Sequence, residues 1–155
     1  MRRAPERLYP YLEFSSQSAD SEWSKAQVRC ICGESTFKIC HNGLEKKNLF
    51  GHRSLFVKDD GHLSVTAQCL QCSRTIKLFD SNLDACAESI SEKRSEPSTP
   101  AVCPKCGHNE WATALEMEYP SGDSEDENDM QWIRISIQCK HCGQFANKYL
   151  DVEVE

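Results

Sequence analysis

Apolar and polar positions alternate strictly over Trp111–Tyr119. Trp111, Thr113, Leu115, Met117 and Tyr119 fall on one side, and Ala112, Ala114, Glu116 and Glu118 on the other. Period two sustained over nine residues predicts a half-buried strand. Ile133, Ile135 and Ile137 alternate with polar residues in the same way and predict the returning strand. Between them, Pro120 to Met130 is acidic, with no apolar anchor before Met130, so it reads as the loop of a hairpin. In the first half, Thr36–Cys40, Leu63–Gln68 and Thr75–Phe79 read as strands. His41 to Gly61 is a longer, less patterned insertion that contains Gly43, Gly51 and Asp59-Asp60-Gly61. Ala85 to Ala101 reads as a linker rich in serine and proline, and Asn82 to Lys93 at its start can form a short helix. Residues 1–27 form an arm without cysteine. Its Leu8-Tyr9-Pro10-Tyr11-Leu12-Glu13-Phe14 patch is expected to pack back on the first half or to dock elsewhere.

Composition changes this picture in one respect. The chain has 155 residues, of which 39% are hydrophobic and 8% aromatic, a thin supply for a core of ordinary size. Units below roughly 70 residues seldom hold together on apolar burial alone and take staples. Ten cysteines are the candidates. The N-terminal Met1-Arg2-Arg3 is charged and no apolar run follows, so a reducing, cytoplasmic setting is expected, where cysteine pairs read as metal ligands rather than disulfides. No stretch approaches the ~20 apolar residues of a membrane span.

Eight cysteines fall into four close pairs: Cys30/Cys32, Cys69/Cys72, Cys103/Cys106 and Cys139/Cys142. Cys40 and Cys86 stand apart and read as small structural thiols. The halves superpose as a repeat. Cys32-Gly33 matches Cys106-Gly107, and Phe37 then matches Trp111. Val65-Thr66-Ala67-Gln68-Cys69 matches Ile135-Ser136-Ile137-Gln138-Cys139. Two copies make a duplicated unit rather than a solenoid.

Two cysteines two residues apart sit on a tight turn that aims both sulfurs at one ion, and a following glycine relieves crowding. Cys103-Pro104-Lys105-Cys106-Gly107 and Cys139-Lys140-His141-Cys142-Gly143 have this form. They predict one four-cysteine structural zinc site. The other site is predicted from Cys30, Cys32, Cys69 and Cys72. Its first pair is one residue short, and Ser73 replaces the glycine after the second. Cys40 or His41 in place of Cys30 is the alternative. Two zinc ions are the expected cofactors, with mononuclear iron the rival metal for four thiolates.

These residues resemble the zinc-ribbon superfamily, well over Cys103 to Leu150 and more loosely over Val28 to Phe79. The layout is also similar to small bacterial tandem zinc-ribbon proteins. The resemblance implies a small, mainly β protein: two tandem zinc ribbons, antiparallel β-hairpins capped by cysteine knuckles, with a short helix allowed in the linker. The implied divisions are the arm 1–27, a degenerate ribbon 28–84, the linker 85–101 and a second ribbon 102–155. The second ribbon also resembles that of transcript-cleavage factors and related RNA polymerase subunits. In that family an Asp-Glu pair at the hairpin tip reaches the polymerase active site. Asp126-Glu127 would match it, although the flanking Gln/Arg-rich stretch of the family is absent and the loop is more acidic, as a solvated charge run would be.

Charge then ranks the functions. The net charge is −6, and it is uneven: residues 1–95 carry 14 Lys/Arg against 12 Asp/Glu, while 96–155 carry 4 against 12. That balance opposes non-specific nucleic-acid binding and favours a protein partner. The first expectation is a non-catalytic protein-interaction module, an accessory, regulatory or immunity/inhibitor-like protein. The alternative is a nucleic-acid- or RNA-polymerase-binding factor, using the mildly basic stretch with Lys38, Lys46, Lys47, Arg53 and Lys58, where Phe50, His52 and Phe56 could stack on bases. Candidate partner-binding residues are Tyr9, Tyr11, Phe14, Lys46, Lys47, Phe50, Arg53, Asp126 and Glu127. An enzyme ranks last, because no phosphate loop, nucleophile elbow or His/Glu metal motif is present.

Overall fold

The computed structural model describes residues 4–15, 23–47, 53–57, 61–84, 96–119 and 130–154. It is mainly β and antiparallel. A 3-10 helix, Glu6–Tyr11, leads into β1 (Leu12–Phe14) and β2 (Trp23–Val28). The first half continues with β3 (Phe37–His41), β4 (Leu44–Lys47), β5 (Arg53–Phe56), β6 (Ser64–Cys69) and β7 (Thr75–Asp80). A single helical turn, α1 (Ser81–Asp84), follows, the described part of the region read as a short helix. The second half has β8 (Thr99–Pro100), β9 (Trp111–Glu118), β10 (Trp132–Cys139) and β11 (Phe145–Glu153).

The strands expected from alternation form where they were read, shifted by a residue or so at their ends. β9 alternates buried and half-buried positions along its whole length, as its sequence does. β10 returns against it over Trp132↔Glu118 to Cys139↔Trp111, and β11 lines its other edge. In the first half, β3 pairs β6 and β6 pairs β7. The insertion after His41 holds an ordered hairpin, β4–β5, whose four residues in β4 are all exposed. Alternation is hard to see there because only Arg53 and Leu55 face inward.

The arm does more than pack on the first half. Arg7 braces β7 there, donating from Nε to the Lys77 carbonyl (3.1 Å) and from its two terminal nitrogens to both Asp84 carboxylate oxygens (2.6 and 2.7 Å). β2 instead joins the second half, pairing with β9 from Trp23↔Glu118 to Gln27↔Ala114. β8 makes the return exchange, setting Cys40 opposite Pro100 and His41 opposite Thr99 on β3. Where the two halves meet, Phe37 lies opposite Trp111, both fully buried. A single continuous core follows, from Leu8 through Phe37, Val65 and Phe79 to Leu115, Ile135 and Tyr149. Among the described residues no helix is long and apolar enough to cross a membrane.

Candidate metal centres

Each half carries two cysteine turns, and the backbone of each turn is closed in the same way. In the second half, the Gly107 N–H donates to the Cys103 carbonyl (2.8 Å) and the Cys103 N–H to the His108 carbonyl (2.8 Å). Cys139 repeats both bonds with Gly143 (3.0 Å) and Gln144 (2.8 Å), and Cys69 repeats them with Ser73 (3.0 Å) and Arg74 (2.8 Å). The short Cys30-Ile31-Cys32 turn keeps the pattern with each span reduced by one residue. Gly33 N–H reaches the Cys30 carbonyl (2.8 Å) and Cys30 N–H reaches Glu34 (2.8 Å). Gly33 at φ 98 makes this closure possible without side-chain conflict.

The sulfurs of Cys30, Cys32, Cys69 and Cys72 consequently all lie within 4.8 Å of one another, as do those of Cys103, Cys106, Cys139 and Cys142. The pairing is the same in both sites. Cys30–Cys72 (3.4 Å) corresponds to Cys103–Cys142 (3.5 Å), and Cys32–Cys69 (3.5 Å) to Cys106–Cys139 (3.5 Å). A tetrahedron with metal–sulfur bonds of about 2.3 Å has sulfur–sulfur edges of about 3.8 Å. The donor set therefore fits a four-thiolate ion, and each tetrad could hold one. Cys30, not Cys40 or His41, completes the first.

Backbone donors favour the thiolate at one cysteine of each cluster in particular, Cys139 and Cys72. At Cys139 burial pushes the thiol up, but the N–H groups of Cys142 and His141 prevail and hold it at about 6. The Arg74 N–H holds Cys72 at about 7. Burial pushes Cys30 up to about 12. The His108 N–H lowers Cys106, yet burial and the proton shared with Cys139 push it to about 12. Without a cation, one cluster resists carrying several negative charges, and a divalent ion removes that resistance.

The second tetrad has a further layer. His108 and His141 stack at 3.7 Å between ring centroids, and His108 Nδ1 lies 3.3 Å from Cys106 Sγ. His141 pairs through Nε2 with the Glu110 carboxylate. The two histidines thus join the Cys103–Cys106 turn to the Cys139–Cys142 turn through their stacked rings. The matching positions of the first half, Glu34 and Gln71, hold no such pair.

The remaining candidates are scattered. Tyr9 and Phe14 pack at 6.1 Å on the arm, with Tyr9 partly open to solvent and Tyr11 half-buried. Lys46 and Lys47 are exposed on β4. Arg53, grouped with them in sequence, is buried. Its Nη1 donates to Glu45 Oε1 (2.8 Å) and the Val102 carbonyl (3.2 Å), and its guanidinium lies over the Trp111 and Tyr149 rings. Glu45 also accepts from the Tyr149 hydroxyl (2.7 Å), and burial, reinforced by that carboxylate, pushes the phenol up. Arg53 is therefore a core residue that locks the β4–β5 hairpin onto the sheet. Phe50, Asp126 and Glu127 lie outside the described residues.

One grouping was not legible in sequence. Cys40, His62, Lys77 and Asp80 line a cleft of about 520 Å³ on the outer face of β3, β6 and β7. It assembles a thiol, an imidazole and a carboxylate, but not a nucleophilic triad. The Ser64 N–H donates to Asn42 Oδ1 (2.8 Å), which turns Asn42 Nδ2 toward His62 Nδ1 (3.3 Å). Nδ1 is thus the acceptor, and Nε2–H donates to Asp80 Oδ1 (3.0 Å). Both ring nitrogens are engaged, leaving none to deprotonate Cys40, whose own thiol burial pushes up. No protein-family model, curated protein or solved structure matches this chain, so both candidate metal centres rest on the geometry of its own residues.

Proposed function

We propose that the two tetrads hold structural zinc, that the halves are zinc ribbons, and that the protein is a non-catalytic interaction module of accessory, regulatory or inhibitor-like type. The observation that carries the metal reading is the repeated four-sulfur cluster, with matching 3.4–3.5 Å pairs in both halves. Four thiolates saturate a tetrahedral ion and leave no open position to activate water, so bound zinc would supply folding energy rather than chemistry. Purified protein should contain two zinc ions per chain by elemental analysis. A red, iron-loaded protein would overturn the choice of metal.

The interaction reading is supported by the outer face of the β4–β5 hairpin. Leu44 and Phe56 lie opposite each other there, both close to half exposed, with Lys46 Nζ 5.2 Å from the Phe56 ring centre. An apolar pair beside exposed lysines suits a partner with apolar and acidic groups. The same face gives the second reading its one support, since a base could stack on Phe56 beside Lys46. The two separate in one comparison. Stoichiometric capture of a protein that is lost in Phe56→Ala supports the first. Tight, salt-sensitive binding of mixed single-stranded nucleic acid that is lost in Lys46→Glu would replace it with the second.

A further inference from the structure

We infer that the two tetrads load metal cooperatively, each filled site raising the affinity of the other. This rests on the metal reading above. Its basis is a single rung of the sheet: Cys69 lies opposite Phe37, Phe37 opposite Trp111, and Trp111 opposite Cys139. A ligand of one site is thus joined to a ligand of the other through two adjacent, fully buried aromatic residues. At the spacing of neighbouring strands, three steps put the two cysteine backbones about 15 Å apart. Buried rings packed in a sheet interior do not move independently of their neighbours.

Two further connections cross the same seam. The strands that enter the first cysteine turn of each half are exchanged. β2, which runs into Cys30, is laddered to β9, and β8, which runs toward Cys103, is paired with β3. Asn109, three residues after Cys106, also reaches into the other half. Its Oδ1 accepts from the Ile39 N–H (3.1 Å) and from Trp111 Nε1 (2.8 Å), and its Nδ2 donates to the Ile39 carbonyl (3.3 Å). Trp111 Nε1 also donates to the Ala101 carbonyl (2.7 Å), two residues before Cys103. Without an ion, the Cys103–Cys106 turn loses what fixes its ends. Asn109 and Trp111 then lose their placement against β3, the strand that holds Phe37 opposite Cys69. The same path runs in reverse from the first site. Metal at either site therefore orders part of the other, and a second ion meets a structure that has already met part of its ordering cost.

The test titrates Zn²⁺ against a competing chromophoric chelator, using the full chain. Wild type should bind two ions with a Hill coefficient above one. Removing the second site with Cys103→Ser/Cys106→Ser should weaken zinc at the first by about 5- to 150-fold, the usual range of coupling between sites. Cys30→Ser/Cys32→Ser should weaken the second by the same factor, because coupling is reciprocal. Asn109→Ala keeps all eight sulfurs and should lower the Hill coefficient. If either double variant does not fold, Asn109→Ala decides, and unchanged steepness there sinks the inference. Two ions bound independently in wild type, with single-site affinities unaffected by loss of the other site, would end the coupling and leave the metal reading intact. Fewer than two ions per wild-type chain would end both.

Discussion

Ser73 sits at φ 63 where its counterpart, Gly143, sits at φ 78. A side chain in the left-handed region costs roughly 1–2 kcal/mol, partly offset because glycine is freer when unfolded. Ser73→Gly is therefore expected to stabilise the protein by about 0.5–1 kcal/mol. Gly143→Ser should cost about as much, since a Cβ there would meet nothing within 4 Å and only the backbone is strained. Urea midpoints of the two variants check the pair, and shifts of the same sign would contradict it. At Asp80, burial alone would raise the carboxyl. Hydrogen bonds from Lys77, from the Asn82 N–H and from His62 outweigh it and hold the group below its usual range. A depressed folded value means stability that is present above the unfolded value, ~3.9, and lost as pH falls through the folded one. Wild type should lose stability to urea below about pH 4 partly through this group, and Asp80→Asn should flatten that limb while lowering the neutral plateau.

Among the elements, the Cys30–Cys32 turn shows how a shortened knuckle reaches the same geometry. Every closing hydrogen bond moves in by one residue, and the two sulfurs still pair crosswise with Cys69 and Cys72. The strands attached to these turns are short, and β3 spans only five residues. Such strands depend on their turns being fixed, so an ion held by the tetrads would supply a large part of their folding energy. Adding a strong chelator should abolish the β-type far-ultraviolet circular dichroism of the protein, and restoring zinc should bring it back. Retained cooperative unfolding after metal removal would show that packing alone holds the sheet. The exposed edges of that sheet are managed locally. Arg7 covers β7, and the β4–β5 hairpin lies against β11, where the Ser54 hydroxyl donates to the Lys148 carbonyl (3.4 Å).

At the scale of the whole molecule, the two halves share one core and exchange strands, so neither carries a complete apolar interior. Trp111 lies at their junction, fully buried, tied to Ala101 and Asn109 and opposite Phe37. Trp111→Ala is expected to cost about 3–5 kcal/mol. The loss should appear in both halves together: amide exchange in β6 and in β10 should accelerate by similar factors. Acceleration confined to β10 would mean that the halves unfold separately.

Local chemistry determined a good deal of this. Alternation placed β9 and β10, because period two reports directly on a half-buried strand. Cysteine spacing and the two-copy repeat identified both tetrads, because cysteine turns are local structures whose geometry is set within five or six residues. The sequence did not reveal β2 as a strand of the second half, the exchange of β2 and β8, the Cys69–Phe37–Trp111–Cys139 rung, or the burial of Arg53. Each depends on contacts between residues far apart in the chain. Arg53 in isolation looks like one more surface cation beside Lys46 and Lys47. Only the tertiary arrangement puts Glu45, Trp111 and Tyr149 around it and makes it part of the core.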